Sequence, residues 1–316
     1  MIERWRRILF AWFAVLTALA WMLIVVGALV RAHGAGLACP DWPLCFGQLV
    51  PTFDLKVGFE WGHRLFAGLL SLGLLAGAVL TWRQGGELWA RAKRPIVAAG
   101  VVFVVQAILG GLTVLHLLAS WTVTSHLLCG NVFAATLLWS ALSLRDWRPV
   151  ERSSRALRAT VFAAGALFVQ MALGGLTSSQ YAGLACAEWP ACSDGVWFPE
   201  LHGLVGLHLL HRWNAMVVLV AYGALFLTTR GHPLSRLTGG LLALVVAQIG
   251  LGVANVLLRL PVEVTALHSA CAAALFLLTT AAIHRQVATR GQVVSESVRG
   301  RSQALPLTDA LPLPPG

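Results

Sequence analysis

Charge is the scarcest property of this sequence. Asp, Glu, Lys and Arg together make up 11% of 316 residues, while hydrophobic residues make up 58%. An ordinary soluble domain is roughly 25% charged. The shortage excludes a pair of soluble domains of this length, because a water-facing surface needs polar cover. Other absences narrow the chemistry. No group of carboxylates or thiolates lies within the apolar runs, which disfavours a zinc or di-iron site. No cysteine pair has the close C-x-x-C spacing common in thiol-disulfide exchange. No apolar run is visibly broken at mid-membrane, which ranks a transporter low.

Long apolar stretches are what the chain has instead. Runs of ~20 residues span a hydrocarbon core as a helix, and eight are expected near 8–30, 61–82, 95–115, 121–143, 159–178, 204–229, 237–258 and 264–284. The first is too long for the apolar part of a signal peptide. The Gly36-Leu37-Ala38-Cys39 stretch faintly resembles a lipoprotein cleavage site, but its near-copy at Gly183 to Cys186 argues against processing. Of 23 Lys and Arg, only Arg31, Lys56, Arg64, Arg212 and Arg259 fall on the far side of the expected spans. The positive-inside rule then places both termini in the cytoplasm and the cysteine-bearing loops outside, in a bacterial inner membrane. The net charge of +10 reads as that orientation signal and a contact for anionic lipid, without a nucleic-acid partner. The polar, then Pro-rich end, 286–316, reads as a disordered cytoplasmic tail.

The chain also repeats itself. Gly36-Leu-Ala-Cys-Pro-Asp-Trp-Pro-Leu-Cys45 returns as Gly183-Leu-Ala-Cys-Ala-Glu-Trp-Pro-Ala-Cys192, 147 residues later. His63-Arg64 returns as His211-Arg212 after 148 residues, and His126 as His268 after 142. Four helices per unit give a parallel repeat. The fold class expected is an all-α membrane protein of eight transmembrane helices, as two tandem parallel-repeat four-helix bundles, 1–150 and 151–285. Gln106 to Thr113 nearly equals Gln170 to Thr177, and Gln106–His126 and Gln248–His268 share a 20-residue span. Their glycines would allow close helix approach or a flat cofactor against backbone.

Four of ten histidines stand out: His63, His126, His211 and His268, each near the start of an even-numbered helix and so at one membrane depth. A lone histidine on an apolar helix is usually a packing residue; four equivalent ones are harder to explain that way, and a polar ring in lipid is expensive. Two imidazoles per half suit a haem bis-ligated within a helix bundle. Arg64 and Arg212 directly follow a ligand position, where a guanidinium can either clamp a propionate or snorkel to the interface. Glu60 lies three residues before His63, whereas His208 holds the matching place before His211. A carboxylate there can assist proton transfer or serve only the helix dipole. Cys39–Cys45 and Cys186–Cys192 form C-x5-C pairs, read as loop clamps with a redox shuttle or a lid as the sharper alternative. Cys129 and Cys271 read as small-residue packing.

The CPDWPLCFGQ loop from Cys39 to Gln48, the Glu60-x-x-His63-Arg64 helix start and the duplicated histidines resemble the haem A synthase family over residues 8–285. The resemblance implies an enzyme that oxidises the C8 methyl of haem O to a formyl group by two successive hydroxylations, yielding haem A. It implies that His211 and His268 ligate a haem b in the second half. His63 and His126 would flank the substrate haem in the first, with Glu60 as catalytic carboxylate and Cys39–Cys45 as the first-loop pair. The second cysteine pair occurs in only some members. Implied partners are a haem O synthase upstream, cytochrome oxidase assembly downstream and an electron partner not written in the sequence; a homo-oligomer is compatible with all of this. The competing reading is a bis-haem b-type membrane electron carrier, which leaves Glu60 idle, followed by a membrane thiol-disulfide oxidoreductase.

Overall fold

In a computed structural model describing residues 1–147 and 153–303, with side chains described to residue 287, the chain is eight long helices and one short 3-10 turn. They are α1 (Ile2–Ala32), α2 (Leu55–Gln84), α3 (Gly86–Leu115), α4 (Ser120–Ser143), α5 (Ser154–Ser179), α6 (Gly203–Thr228), α7 (Ser235–Leu257) and α8 (Val262–Gln303). Each is long and apolar enough to cross a membrane. The chain is a multi-pass membrane protein. Intrahelical bonding satisfies the backbone where no water can, and large side chains such as Leu72, Val101, Phe162 and Val220 face outward.

Neighbours in sequence pack as neighbours in space. α1 lies against α2 and α4, α2 against α3, and α3 against α4; α5 to α8 repeat that set of contacts. α4 and α8 join the two groups, with α1 and α5 beside them. One apolar core gathers Leu9, Phe13, Leu74, Ile96 and Leu137 among α1 to α4. Another gathers Leu167, Tyr222, Leu225, Leu241 and Leu275 among α5 to α8. Polar ties cross between the groups: Arg31 donates through Nε to Ser178 Oγ (2.8 Å) and through its guanidinium to Ser178 O, and Trp21 Nε1 donates to Ala270 O (3.0 Å).

Several helix ends run beyond the apolar spans. α3 reaches back through Pro95 to Gly86, because its polar start is amphipathic: Leu88 and Ala92 enter the core, while Arg91 pairs with Glu87 (2.5 Å) and Asp146 (2.7 Å). Asp146 also pairs with Arg6, which fastens the early start of α1. A tail was expected from 286, yet α8 continues to Gln303; no proline interrupts it before Pro306. Residues 304–316, and Arg148 and Arg152 in the basic α4–α5 connection, lie outside the described residues.

At the end of the molecule carrying the cysteine loops, two turns repeat. Leu117 and Leu118 between α3 and α4, and Arg259 and Leu260 between α7 and α8, all have positive φ, an uncommon region for bulky residues. The reward is a contact: Leu118 seats on Gly36, and Leu260 on Gly183.

Candidate functional site

Four glycines set the four histidines. A Cβ placed at Gly27 on α1 would lie 3.3 Å from His63 Cε1 on α2; at Gly110 on α3, 3.0 Å from His126 Cε1 on α4. The same relation holds between Gly174 on α5 and His211 on α6 (3.0 Å), and between Gly252 on α7 and His268 on α8 (3.3 Å). Each odd-numbered helix thus presents bare backbone to a ring on the next helix. His63 and His211 are both the ninth residue of their helices, and His126 and His268 both the seventh. Two matched depths therefore recur in the two halves.

His63 and His126 are carried by α2 and α4 of one helix group, and His211 and His268 by α6 and α8 of the other. Among the described residues, no group of three or more His, Cys, Asp or Glu is placed to hold a bare metal ion. Nδ1 of His63, His126 and His268 is enclosed with no hydrogen-bond partner, though each residue as a whole is half-buried. Leaving such a group unmet costs about 1–3 kcal/mol. Three such atoms at repeated positions, with glycine seats that any Cβ would fill, fit a flat metal-bearing group held by an imidazole pair. Gly174→Ala is expected to push the His211 ring aside and lower retention of such a group about tenfold. Gly165→Ala, on the same helix with open space around it, should leave the amount retained per purified protein unchanged.

Glu60 and Arg64 build a second constellation under the first loop. Glu60 is 5% exposed; its Oε2 accepts the N–H of Cys39 (2.9 Å) and its Oε1 pairs with Arg64 Nη2 (2.5 Å). Arg64 Nη1 donates to Asp41 O and Leu44 O (both 2.7 Å), and Nη2 also donates to Cys39 O (3.3 Å). All four terminal N–H groups of Arg64 are therefore spent on the loop and on Glu60. A bidentate propionate clamp is not open to Arg64 in this geometry, nor does its side chain snorkel; it holds the loop down. Arg212 does the same through Ala191 O (3.1 Å), Cys186 O and Glu188 O (both 2.8 Å), keeping one terminal N–H. His208 stands in for Glu60, its Nδ1 accepting the N–H of Cys186 (3.3 Å).

Both loops are closed by disulfides, Cys39–Cys45 and Cys186–Cys192. The first two cysteines are 0% and 1% exposed, the second two 0% and 2%. Thiol exchange needs access for an attacking thiolate, so burial favours the clamp over the shuttle. Asp41 shapes the first turn by accepting the N–H groups of Gly47 (2.8 Å) and Phe46 (2.7 Å), which hold its carboxyl below the usual carboxylate range, Gly47 most strongly. Trp42 from this loop lies on Gly111 of α3, beside the seat of His126. The glycine seats and the loop-anchoring role of Glu60 and His208 were not read from the sequence. A signal was present: Gly27 and Gly174 stand 147 apart, and Gly110 and Gly252 stand 142 apart, matching the loop and histidine offsets.

Against known proteins, the profile of the cytochrome oxidase assembly protein family (COX15-CtaA) matches residues 10–280. A haem A synthase of Shewanella oneidensis is 33% identical, covering 83% of this chain and 92% of that protein. Haem A synthases of Methylobacterium nodulans and Geobacillus kaustophilus are 28% and 27% identical, covering 86% and 94% of this chain and 89% and 98% of theirs.

Proposed function

Because the chain belongs to the haem A synthase family of cytochrome oxidase assembly proteins, we propose that it oxidises the C8 methyl of haem O to the formyl group of haem A. It is an oxidoreductase of haem A biosynthesis. The observation that carries the finer reading is the pair of glycine-seated histidines in each half, with a carboxylate beside only one pair.

In this reading the two halves are tandem four-helix bundles with different tasks. His63 and His126 embrace the substrate haem in the first half, 1–150. His211 and His268 hold a resident haem b in the second, 151–285. That haem b supplies one-electron transfer when bound. Haem O enters sideways from the lipid, as its long apolar tail favours, and the helices keep water from the reacting carbon. The asymmetry between the halves is chemical. Glu60 offers a carboxylate near the reacting position, oriented by Arg64 and the Cys39 N–H, whereas His208 at the matching place carries no fixed negative charge. A carboxylate held there can accept or return the proton that each hydroxylation of the methyl moves. The disulfide-closed loops lie over both sites on the outer side of the inner membrane, with both termini in the cytoplasm. A haem O synthase would supply the substrate, and cytochrome oxidase assembly would consume the product.

Membranes that make haem O and this chain should accumulate haem A, identified by extraction and chromatography. Haem O left unchanged under aerobic conditions, with the protein present and haem-loaded, counts for the bis-haem electron carrier instead.

A further inference from the structure

At the end of the molecule opposite the cysteine loops, two guanidinium groups share one indole. Trp147 follows α4, and its Nε1 donates to Leu142 O (3.0 Å), which fixes the ring and spends its polar atom. Arg145 Cζ lies 4.7 Å from the centre of that ring, and Arg285 Cζ, from α8, lies 5.3 Å from it. Arg145 also lies over Phe10 of α1 (5.6 Å). The two charges are thus within about one Debye length, ~10 Å, of each other. No anion answers them. Among the described residues neither arginine has a carboxylate partner, and Asp146 beside them is taken by Arg6 and Arg91. Arg285 Nε is enclosed with no hydrogen-bond partner. The neighbouring His284 is 4% exposed, its ring set against Trp139 (5.0 Å) and Trp147 (6.4 Å), and its Nδ1 is likewise unmet. Enclosed polar atoms without partners, beside two uncompensated like charges, cost stability. A ligand that brings negative charge and acceptor oxygens relieves both costs.

Depth decides which anion fits. α8 crosses the membrane over Val262–Val287, so His284 and Arg285 lie in the last turn of the span, level with the lipid headgroups. Leu278 lies two turns deeper on the same helix face as Arg285 and is 43% exposed. Apolar surface therefore runs from beneath the guanidinium towards the bilayer centre. We propose that Arg145, Arg285 and Trp147 form a binding site for one anionic phospholipid, with both guanidinium groups on its phosphate and an acyl chain along the Leu278 face of α8. The anchored indole holds the two arginines in place, and His284 and Trp139 brace it from within. These contacts draw on α1, the end of α4 and α8, helices along which the two groups meet. The lipid would fasten the halves together at the end remote from the disulfide-closed loops. Basic surfaces attract anionic lipid in general, and basic pockets between helices bind particular headgroups; here two arginines on one ring make such a pocket. The site is independent of the haem reading.

Native mass spectrometry of the full chain, released from detergent with phosphatidylglycerol or phosphatidylcholine titrated in, tests the assignment. One phosphatidylglycerol should bind at concentrations where phosphatidylcholine does not. Arg145→Gln combined with Arg285→Gln should weaken that first binding at least tenfold. Arg145→Lys combined with Arg285→Lys keeps both charges and should recover most of it. The control is Arg230→Gln, which removes a single guanidinium lying over Phe226 (5.2 Å), and it should leave binding unmoved. Circular dichroism of each variant, matched to the native helix content, shows that the chain is folded. Binding that is unchanged in the double glutamine variant, or that falls equally in Arg230→Gln, would overturn the proposal. Inorganic phosphate that displaces the phosphatidylglycerol at millimolar concentration would show a site for the free anion and overturn the lipid assignment.

Discussion

If the second half holds a haem b as proposed, His211→Ala and His268→Ala should each strip it of that haem, and with it the b-type absorbance of the purified protein. The size of the effect follows from how little else could serve. Each ring reaches the site from its own helix, and each is seated on a glycine that offers no replacement side chain. The nearest alternative, His208, is one turn from His211 but already accepts the Cys186 N–H under the loop. Arg212 is committed to three loop carbonyls. Changes to groups that merely support a metal ligand cost about 10–100-fold in affinity, so removal of the ligand itself should cost more. Visible spectra of the two variants, normalised to protein, make the measurement. Absorbance that survives both changes intact would show that the resident haem is held elsewhere.

The parts of this architecture that depend on side-chain type were legible in the sequence, and the parts that depend on backbone were not. Eight apolar runs became eight helices because length and composition suffice for a membrane span. The four histidines share matched depths because the duplication carries them at nearly constant offsets. Helix ends were harder. The apolar run predicts α3 from 95, yet Leu88 and Ala92 bury themselves in the core and extend the helix by nine residues. Arg64 and Arg212 show the deeper limit. A guanidinium beside a ligand position invites an anionic partner, but apart from Glu60 on Arg64 the acceptors here are main-chain carbonyls of Cys39, Asp41, Leu44, Cys186, Glu188 and Ala191. Every residue has such a carbonyl, so no residue type announces it. The glycine seats lie between these cases: each glycine is visible, but which ring it receives emerges only when the helices are packed.

Glu60 therefore has two roles that a single alanine variant would confuse. Glu60→Ala should stop haem A formation, but it would also take from the Cys39 N–H its carboxylate acceptor and from Arg64 its one anionic partner, leaving the guanidinium on loop carbonyls alone. Breaking a buried ion pair from one side costs about 3–5 kcal/mol, enough to unseat the loop and halt turnover for a structural reason alone. The second half shows how to separate the two. There a histidine at the matching place accepts the equivalent N–H of Cys186, and the arginine still holds its loop. Glu60→His should accordingly keep the Cys39–Cys45 loop seated while removing the carboxylate. Haem content and the second-half spectrum should match the native protein, and the rate of haem A formation should fall about 100-fold or more, the scale of a lost proton-transfer group. The reciprocal His208→Glu should leave the rate nearly unaltered, since the proposed role of the second half is electron transfer only. Native turnover in Glu60→His but not in Glu60→Gln, whose amide can still accept the Cys39 N–H, would show that an imidazole replaces the carboxylate in proton transfer; native turnover in both would make Glu60 an anchor for the loop and nothing else.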